Sequence, residues 1–287
     1  MSLKRNCADM LGAALVGLAS FPGQQFFSYL LNRLMEHSAA VRSVPTRFGN
    51  LSFWSPNELC GWRAESLLTK EPETIEWIDT FAEGEVYWDI GANVGVYALY
   101  AAQRTNIRVL AFEPSPFNYY ALCRNVELNK VGNSLSAYCL AFNDKSTLDY
   151  FNMTTVEIGG ALSSFGETTD YWGKQFKPQF SQAMIGYSLD SFIEQFNPPF
   201  PNHLKIDVDG IEAKIVEGGS KTLSDRRLKS VSIELDVKRS GEEKHVSEML
   251  SQYGLELKQR KHSDLIEHSE FASSYNYLFT RNTGSMP

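Results

Sequence analysis

Tyr87-Trp88-Asp89-Ile90-Gly91-Ala92-Asn93-Val94-Gly95-Val96-Tyr97 holds a strand, a glycine turn and the start of a helix in eleven residues. Gly91 and Gly95 let the backbone turn sharply and approach a ligand at the carboxyl end of the strand, where open α/β sheets bind ligands. A dinucleotide fingerprint needs glycine at 93 and 96, but Asn93 and Val96 stand there, so the loop suits a pyrophosphate poorly. The next strand ends Ala111-Phe112-Glu113-Pro114, and the acid, 22 residues after Gly91, is placed to accept hydrogen bonds from both hydroxyls of a ribose. Loop and acid together ask for an adenosine ribose and a small cationic remainder near Asp89. S-adenosylmethionine, with its sulfonium and amino-acid tail, meets that request. At the end of the third strand, Asn143 or Asp144 could bond an adenine amine, although Asn-Asp is also an ordinary turn.

Around this stretch apolar strands alternate with helical patterns, as in a parallel sheet covered by helices on both faces. Strands are expected at 86–90, 108–112, 135–141, 203–208 and 230–235, and late ones at 256–259 and 275–280. Helices are expected at 96–104, 115–129, 211–217 and 243–253. Residues 1–80 read as a mostly helical extension, with a helix around 26–35, a short strand around 48–54, and a helix after Thr69 in which Thr69 caps and Pro72 opens the first turn. The domain proper is expected at 81–287. Within it, 149–186 has no sustained period and many aromatics, which suggests a substrate lid or an apolar flap.

His203-Leu204-Lys205-Ile206-Asp207-Val208-Asp209-Gly210-Ile211-Glu212 is the least ordinary stretch. Alternation puts Lys205, Asp207 and Asp209 on one face of a strand that should be apolar on both. Ionised groups there are costly unless paired or used. The following strand repeats the theme with Ser232, Glu234 and Asp236, so two neighbouring strands deliver carboxylates to one rim. His203 opens its strand at the end away from that rim and reads as structural.

Hydrophobic residues are 43% and charged residues 21% of 287, the composition of a globular protein able to build its own core. A net charge of -7 gives no general attraction to a polyanion, which disfavours nucleic acid as the main ligand. The four cysteines form neither a metal pattern nor a disulfide framework and fit a reducing, cytoplasmic setting. The apolar run 8–19 follows Lys4 and Arg5 as in a signal peptide, but Asp9 interrupts it and it is too short to span a bilayer.

VYWDIGANVGVYAL, AFEPSPFNYYALCRN, YSLDSF, LKIDVDGIEAKIVEGG, SIELD and NYLF, in order and spacing, resemble the FkbM family of S-adenosylmethionine-dependent methyltransferases from about Glu71 to Phe279. The resemblance implies a doubly wound seven-stranded Rossmann-like sheet with an antiparallel last strand. It also implies methyl transfer to a hydroxyl of a sugar or natural product. Asp89, Gly91, Asn93 and Gly95 match the family's cofactor loop, Glu113 its ribose acid, and Asp207, Gly210 and Glu212 its K-I-D-V-E-G-x-E stretch. Asp209 departs from that pattern by one methylene.

Methyl transfer to an alcohol needs alignment and a base. Asp207 is the first candidate for base or acceptor-orienting group, with Lys205 and Glu234 as neighbours that tune it. A divalent cation held by Asp207, Asp209, Glu234 or Asp236 is the alternative way to acidify the acceptor. The expected partner is a small-molecule or glycan acceptor. A nicotinamide oxidoreductase, which would need the missing glycines, and a cofactor-binding module without chemistry are the rival readings.

Overall fold

A computed structural model describes residues 24–37, 40–169, 172–239, 241–262 and 271–281, with isolated positions 10, 12–14, 265, 267 and 269. In chain order the first elements are α1 (Gln24–His37), β1 (Val41–Thr46), β2 (Gly49–Trp54), α2 (Glu58–Glu65) and α3 (Pro72–Asp79). Then come β3 (Val86–Ile90), α4 (Val96–Ala102), β4 (Arg108–Phe112), α5 (Pro116–Leu128), β5 (Leu135–Tyr138), β6 (Ala141–Phe142), β7 (Thr147–Met153), β8 (Ser164–Phe165) and β9 (Phe180–Tyr187). The last are α6 (Leu189–Phe196), β10 (His203–Ile206), α7 (Glu212–Glu217), α8 (Ser220–Ser224), β11 (Ser230–Asp236), α9 (Glu242–Gln252), β12 (Leu255–Lys261) and β13 (Ser274–Arg281).

The seven-stranded sheet runs β12-β13-β11-β10-β3-β4-β5. Neighbours from β11 to β5 are parallel, and β13 is antiparallel to both strands beside it, as expected. Its two faces carry separate cores. Trp88, Ile90, Leu110, Phe112, Leu204, Ile206, Val231 and Ile233 pack on one, while Tyr87, Val109 and Ala111 pack on the other against Trp77, Ile78, Tyr97 and Leu99. Burial on both sides is what β3 and β4 require as apolar runs.

Local chemistry sets the helix starts. Ser115 Oγ accepts from Asn118 N at 3.4 Å, with Pro116 opening α5, and Asn57 Oδ1 accepts from Cys60 N at 2.8 Å at α2. Glu71, not Thr69, occupies the cap position of α3, and its side chain makes no cap bond because Lys70 and Thr74 hold it.

Two compact units result, Met1–Ala40 and Val41–Pro287. Residues 41–80, expected to belong to the N-terminal extension, pack within the second. The run 8–19 lies mostly outside the described residues. Among the described residues, no helix is long and apolar enough to cross a membrane.

The structure departs from expectation around the third strand and in the segment that follows it. The run 135–141 breaks after Tyr138, and Ala141–Phe142 pairs with β9 instead, Ala141 opposite Gly186. The stretch 149–186 also contains regular structure: β7 and β9 are paired antiparallel from Thr147/Gly186 to Met153/Phe180, in a second sheet ordered β6-β9-β7-β8. That ladder closes over 26 residues of intervening chain, so no local turn signal announces it. Between β7 and β8, residues 154–163 form an irregular strap.

Candidate active site

The carboxyl ends of β3, β4 and β10 open into a cavity of about 470 Å³, closed by the strap and by α2. Of the residues singled out in the sequence, Asp89, Gly91, Asn93, Glu113, Lys205, Asp207, Asp209 and Glu234 line it. Gly95, Asn143, Asp144 and Asp236 are not among its lining residues. Gly95 serves the turn as the cap of α4, with φ +88°. Asn143 is buried but turns its Oδ1 to its neighbour Asp144 N at 2.9 Å, while Asp144 is exposed. Leu140, Ala141 and Phe142 form that part of the wall, a flat apolar patch suited to an adenine. Asp236 accepts from Lys238 N at 2.8 Å.

The glycine turn depends on Gly91 for a reason the sequence did not show. Its φ is +85°, and a Cβ there would stand 1.8 Å from the carbonyl oxygen of Asp207. Close approach to the neighbouring strand, rather than to a ligand, requires glycine at this point. Glu113 accepts from Asn93 N at 2.8 Å, Ser115 N at 2.9 Å and Asn118 Nδ2 at 3.3 Å. Burial outweighs these bonds and pushes its carboxyl up to about 7. Three donors leave lone-pair capacity on a carboxylate that faces the cavity.

On the same side of the sheet, register places Asp89 beside Lys205, and Lys205 beside Ser232. Lys205 Nζ lies 2.5 Å from Asp207 Oδ2, 3.9 Å from Glu71 Oε2 and 5.1 Å from the centre of the Tyr97 ring. Lys70 donates to Glu71 Oε1 at 2.7 Å, and Thr74 Oγ1 to Oε2 at 3.1 Å. Burial alone would raise the Asp207 pKa, but the charges of Lys205 and Lys70 hold it well below the carboxylate range. Glu234 responds oppositely: burial and the charge of Asp207 push it far up. The two carboxylates are thus driven in opposite directions, and they titrate as one coupled pair. Asp89 is pushed up to about 6, chiefly by burial, and its Oδ2 has no hydrogen-bond partner.

Strand β10 stops at Ile206, two residues short of expectation, and Asp207 extends the ladder by one bond, its N to Ile90 O at 3.0 Å. Asp209 consequently sits in the loop at φ +60°, accepting from the strap at Leu162 N, 2.6 Å. Glu212 is buried and accepts from Gly210 N at 3.0 Å, bracing the same loop. Lys70, Glu71, Tyr97 and Asn118 escaped the sequence reading. Lys70-Glu71 before a proline looks like an ordinary exposed helix start, and only the crossover of α3 under the sheet brings it to Lys205. Among the described residues, no three His, Cys, Asp or Glu side chains converge to hold a metal ion. Asp207 faces Lys205 and Asp209 faces the strap.

A profile of the methyltransferase FkbM domain matches residues 89–270. The chain belongs to the FkbM methyltransferase family. This FkbM methyltransferase is 23% identical over 191 residues to the hexuronic acid methyltransferase AglP of Haloferax volcanii, which covers 67% of this chain and 72% of that one. Among solved structures, it is similar to precorrin-6y C5,15-methyltransferase from Geobacter metallireducens, at 13% identity and TM-score 0.43 over 76% of this chain and 92% of that one. It is also similar to Pyrococcus horikoshii TYW2 in complex with MeSAdo, at 11% identity and TM-score 0.43 over 84% and 70%. As an FkbM member it is an S-adenosylmethionine-dependent methyltransferase. The donor set fits that cofactor. The unpartnered Asp89 Oδ2 suits an ammonium, Glu113 a pair of hydroxyls, and Phe112 with Leu140 to Phe142 a planar base.

Proposed function

We propose that the chain transfers a methyl group to a hydroxyl of a sugar-like or natural-product acceptor, with Asp207 receiving the hydroxyl proton. The observation that carries the reading is that Asp89, Glu113, Asp207 and Glu234 line one cavity. Asp89, Asn93 and Glu113 would hold the cofactor, which supplies an electrophilic methyl on a sulfonium. Asp207, held ionised by Lys205, accepts a hydrogen bond from the acceptor hydroxyl and fixes a lone pair toward that methyl. A carboxylate of depressed pKa is a weak base, but it suffices because an alcohol oxygen becomes strongly acidic as it gains a methyl. Glu234, whose hold on a proton the Asp207 charge strengthens, lines the same cavity and can keep that carboxylate turned. The AglP likeness points the first acceptors to be tried toward hexuronic acids.

The test incubates the protein with methyl-labelled S-adenosylmethionine and a library of hexuronosides, neutral glycosides and polyketide alcohols. Label recovered in the acceptor as an O-methyl group, seen by mass spectrometry and by a methoxyl resonance in the product's NMR spectrum, is expected. Label on nitrogen or carbon only, or cofactor binding without any transfer, overturns it.

A further inference from the structure

Leu59, Trp62, Arg63, Ser66, Leu67 and Lys70 all line the cavity. Their steps of three, one, three, one and three residues trace one helical face, which α2 begins and the turns after it continue. All six precede residue 89, where the match to the FkbM domain begins. This wall is therefore contributed by the chain's own N-terminal part and not by the shared cofactor machinery.

Trp62 stands apart from the other tryptophans. Trp54, Trp77, Trp88 and Trp172 each lie against an aromatic ring, 5.1 to 5.6 Å between centroids. Trp62 has no aromatic neighbour among the described residues and is 45% exposed at the cavity rim. The wall is also tied to the cofactor loop. Arg63 Nε donates to Gly159 O at 2.6 Å and Asn57 Nδ2 to Ile158 O at 2.9 Å, while Gly160 O accepts from Asn93 Nδ2 at 2.9 Å and Asn118 Nδ2 at 3.0 Å.

We propose that this face is the acceptor wall of the active site and that Trp62 is the platform on which a ring of the acceptor stacks. The proposal rests on the methyltransferase reading of the cavity. Leu59 and Trp62 give one apolar edge of this face, Leu67 is seated in the core beside it, and Ser66, Arg63 and Lys70 lie between as donors. A ring with an apolar face and hydroxyls around its edge matches that pattern. The strap passes the position of the cofactor loop to the wall, so acceptor binding should be strongest with the cofactor site filled.

The experiment uses the full chain labelled with 5-fluorotryptophan, its Trp62 line assigned by Trp62→Phe. The probes are methyl β-D-glucopyranoside and phenol, added with S-adenosylhomocysteine present. A saturable movement of the Trp62 fluorine line by either probe is expected, the pyranoside marking a sugar ring and phenol an aromatic one. Saturation-transfer spectra of the same probe should show binding about five-fold weaker or more in Trp62→Ala, and largely kept in Trp62→Phe. Calorimetry should find S-adenosylhomocysteine affinity within about two-fold of wild type in both variants. A Trp62 line that neither probe moves while S-adenosylhomocysteine is bound overturns the wall and leaves the methyltransferase reading standing. Loss of S-adenosylhomocysteine affinity in Trp62→Ala with its circular dichroism unchanged overturns it too, since Trp62 would then serve the cofactor. Absence of S-adenosylhomocysteine binding in the wild type instead sinks the reading beneath it.

Discussion

Lys205 and Asp207 form an ion pair at the end of β10, Nζ 2.5 Å from Oδ2, the lysine buried and the carboxylate partly open to the cavity. The lysine is raised above its ordinary pKa: burial lowers it, and the carboxylates of Asp207, Glu71 and Asp89 more than compensate. Lys205 and Lys70 thus offset part of the charge of a cluster that holds Glu71, Asp89, Asp207 and Glu234, and the two members of the Lys205–Asp207 pair respond differently to mutation.

Asp207→Asn keeps the shape and removes the charge, while Glu71 still faces Lys205. We expect the turnover number to fall by about two to four orders of magnitude, with the affinity for S-adenosylhomocysteine nearly unchanged. Lys205→Met leaves buried carboxylates without a counter-charge and should cost about 3–5 kcal/mol of stability in urea denaturation. If Asp207→Asn turned over within a few-fold of wild type, the ion pair would be purely structural.

Glu113, at about 7 in the cofactor-free protein, must be ionised to accept from two ribose hydroxyls. S-adenosylhomocysteine should therefore bind more tightly as pH rises from 6 to 8, by up to about ten-fold per unit below the pKa and levelling above it. Calorimetry across this range is decisive, because Glu113→Gln should bind weakly and keep only the shallow rise, about two-fold, that Asp89 at about 6 contributes. A wild-type affinity independent of pH would remove Glu113 from the cofactor.

Gly91 and Gly84 share a left-handed backbone, φ +85° and +83°, but a Cβ at Gly84 meets nothing within 4 Å whereas one at Gly91 meets Asp207 O at 1.8 Å. Gly84→Ala should lose about 1 kcal/mol from backbone strain alone. Gly91→Ala adds displacement of β10 and should lose more than about 3 kcal/mol or fail to fold. Equal losses for the two would show that the strand contact yields easily.

At the opposite end of the sheet, His203 bonds to Glu85 Oε2 and Ser230 Oγ, each at 2.7 Å, with Lys229 also on Glu85. Burial raises the Glu85 carboxyl, but bonds from His203, Lys229 and Ala82 N bring it down to about 2. A depressed carboxylate stabilises the fold fully above its unfolded pKa near 4.5 and loses that contribution as pH falls toward 2. The buried His203 is lowered, mainly by burial, so its share begins to fade below about 6.5. Urea midpoints should drop in two stages from pH 7 to pH 3, and Glu85→Gln should remove the lower one. A single stage common to both proteins would refute the assignment.

The sequence by itself determined the alternating fold, the β3–α4 turn, Glu113 at the end of β4 and the shared face of Lys205 and Asp207. Each follows from a period of two or 3.6 residues, or from a turn, and these act over a few neighbouring positions. Tertiary structure alone decided that Gly91 abuts Asp207, that Lys70 and Glu71 lie under the sheet beside Lys205, that Asn143 turns away from the cavity, and that β7 and β9 pair across 26 residues. Periodicity tells which way a side chain faces. What it faces depends on crossovers and strand order, whose energy comes from burial between segments far apart in the chain, and no local pattern records it.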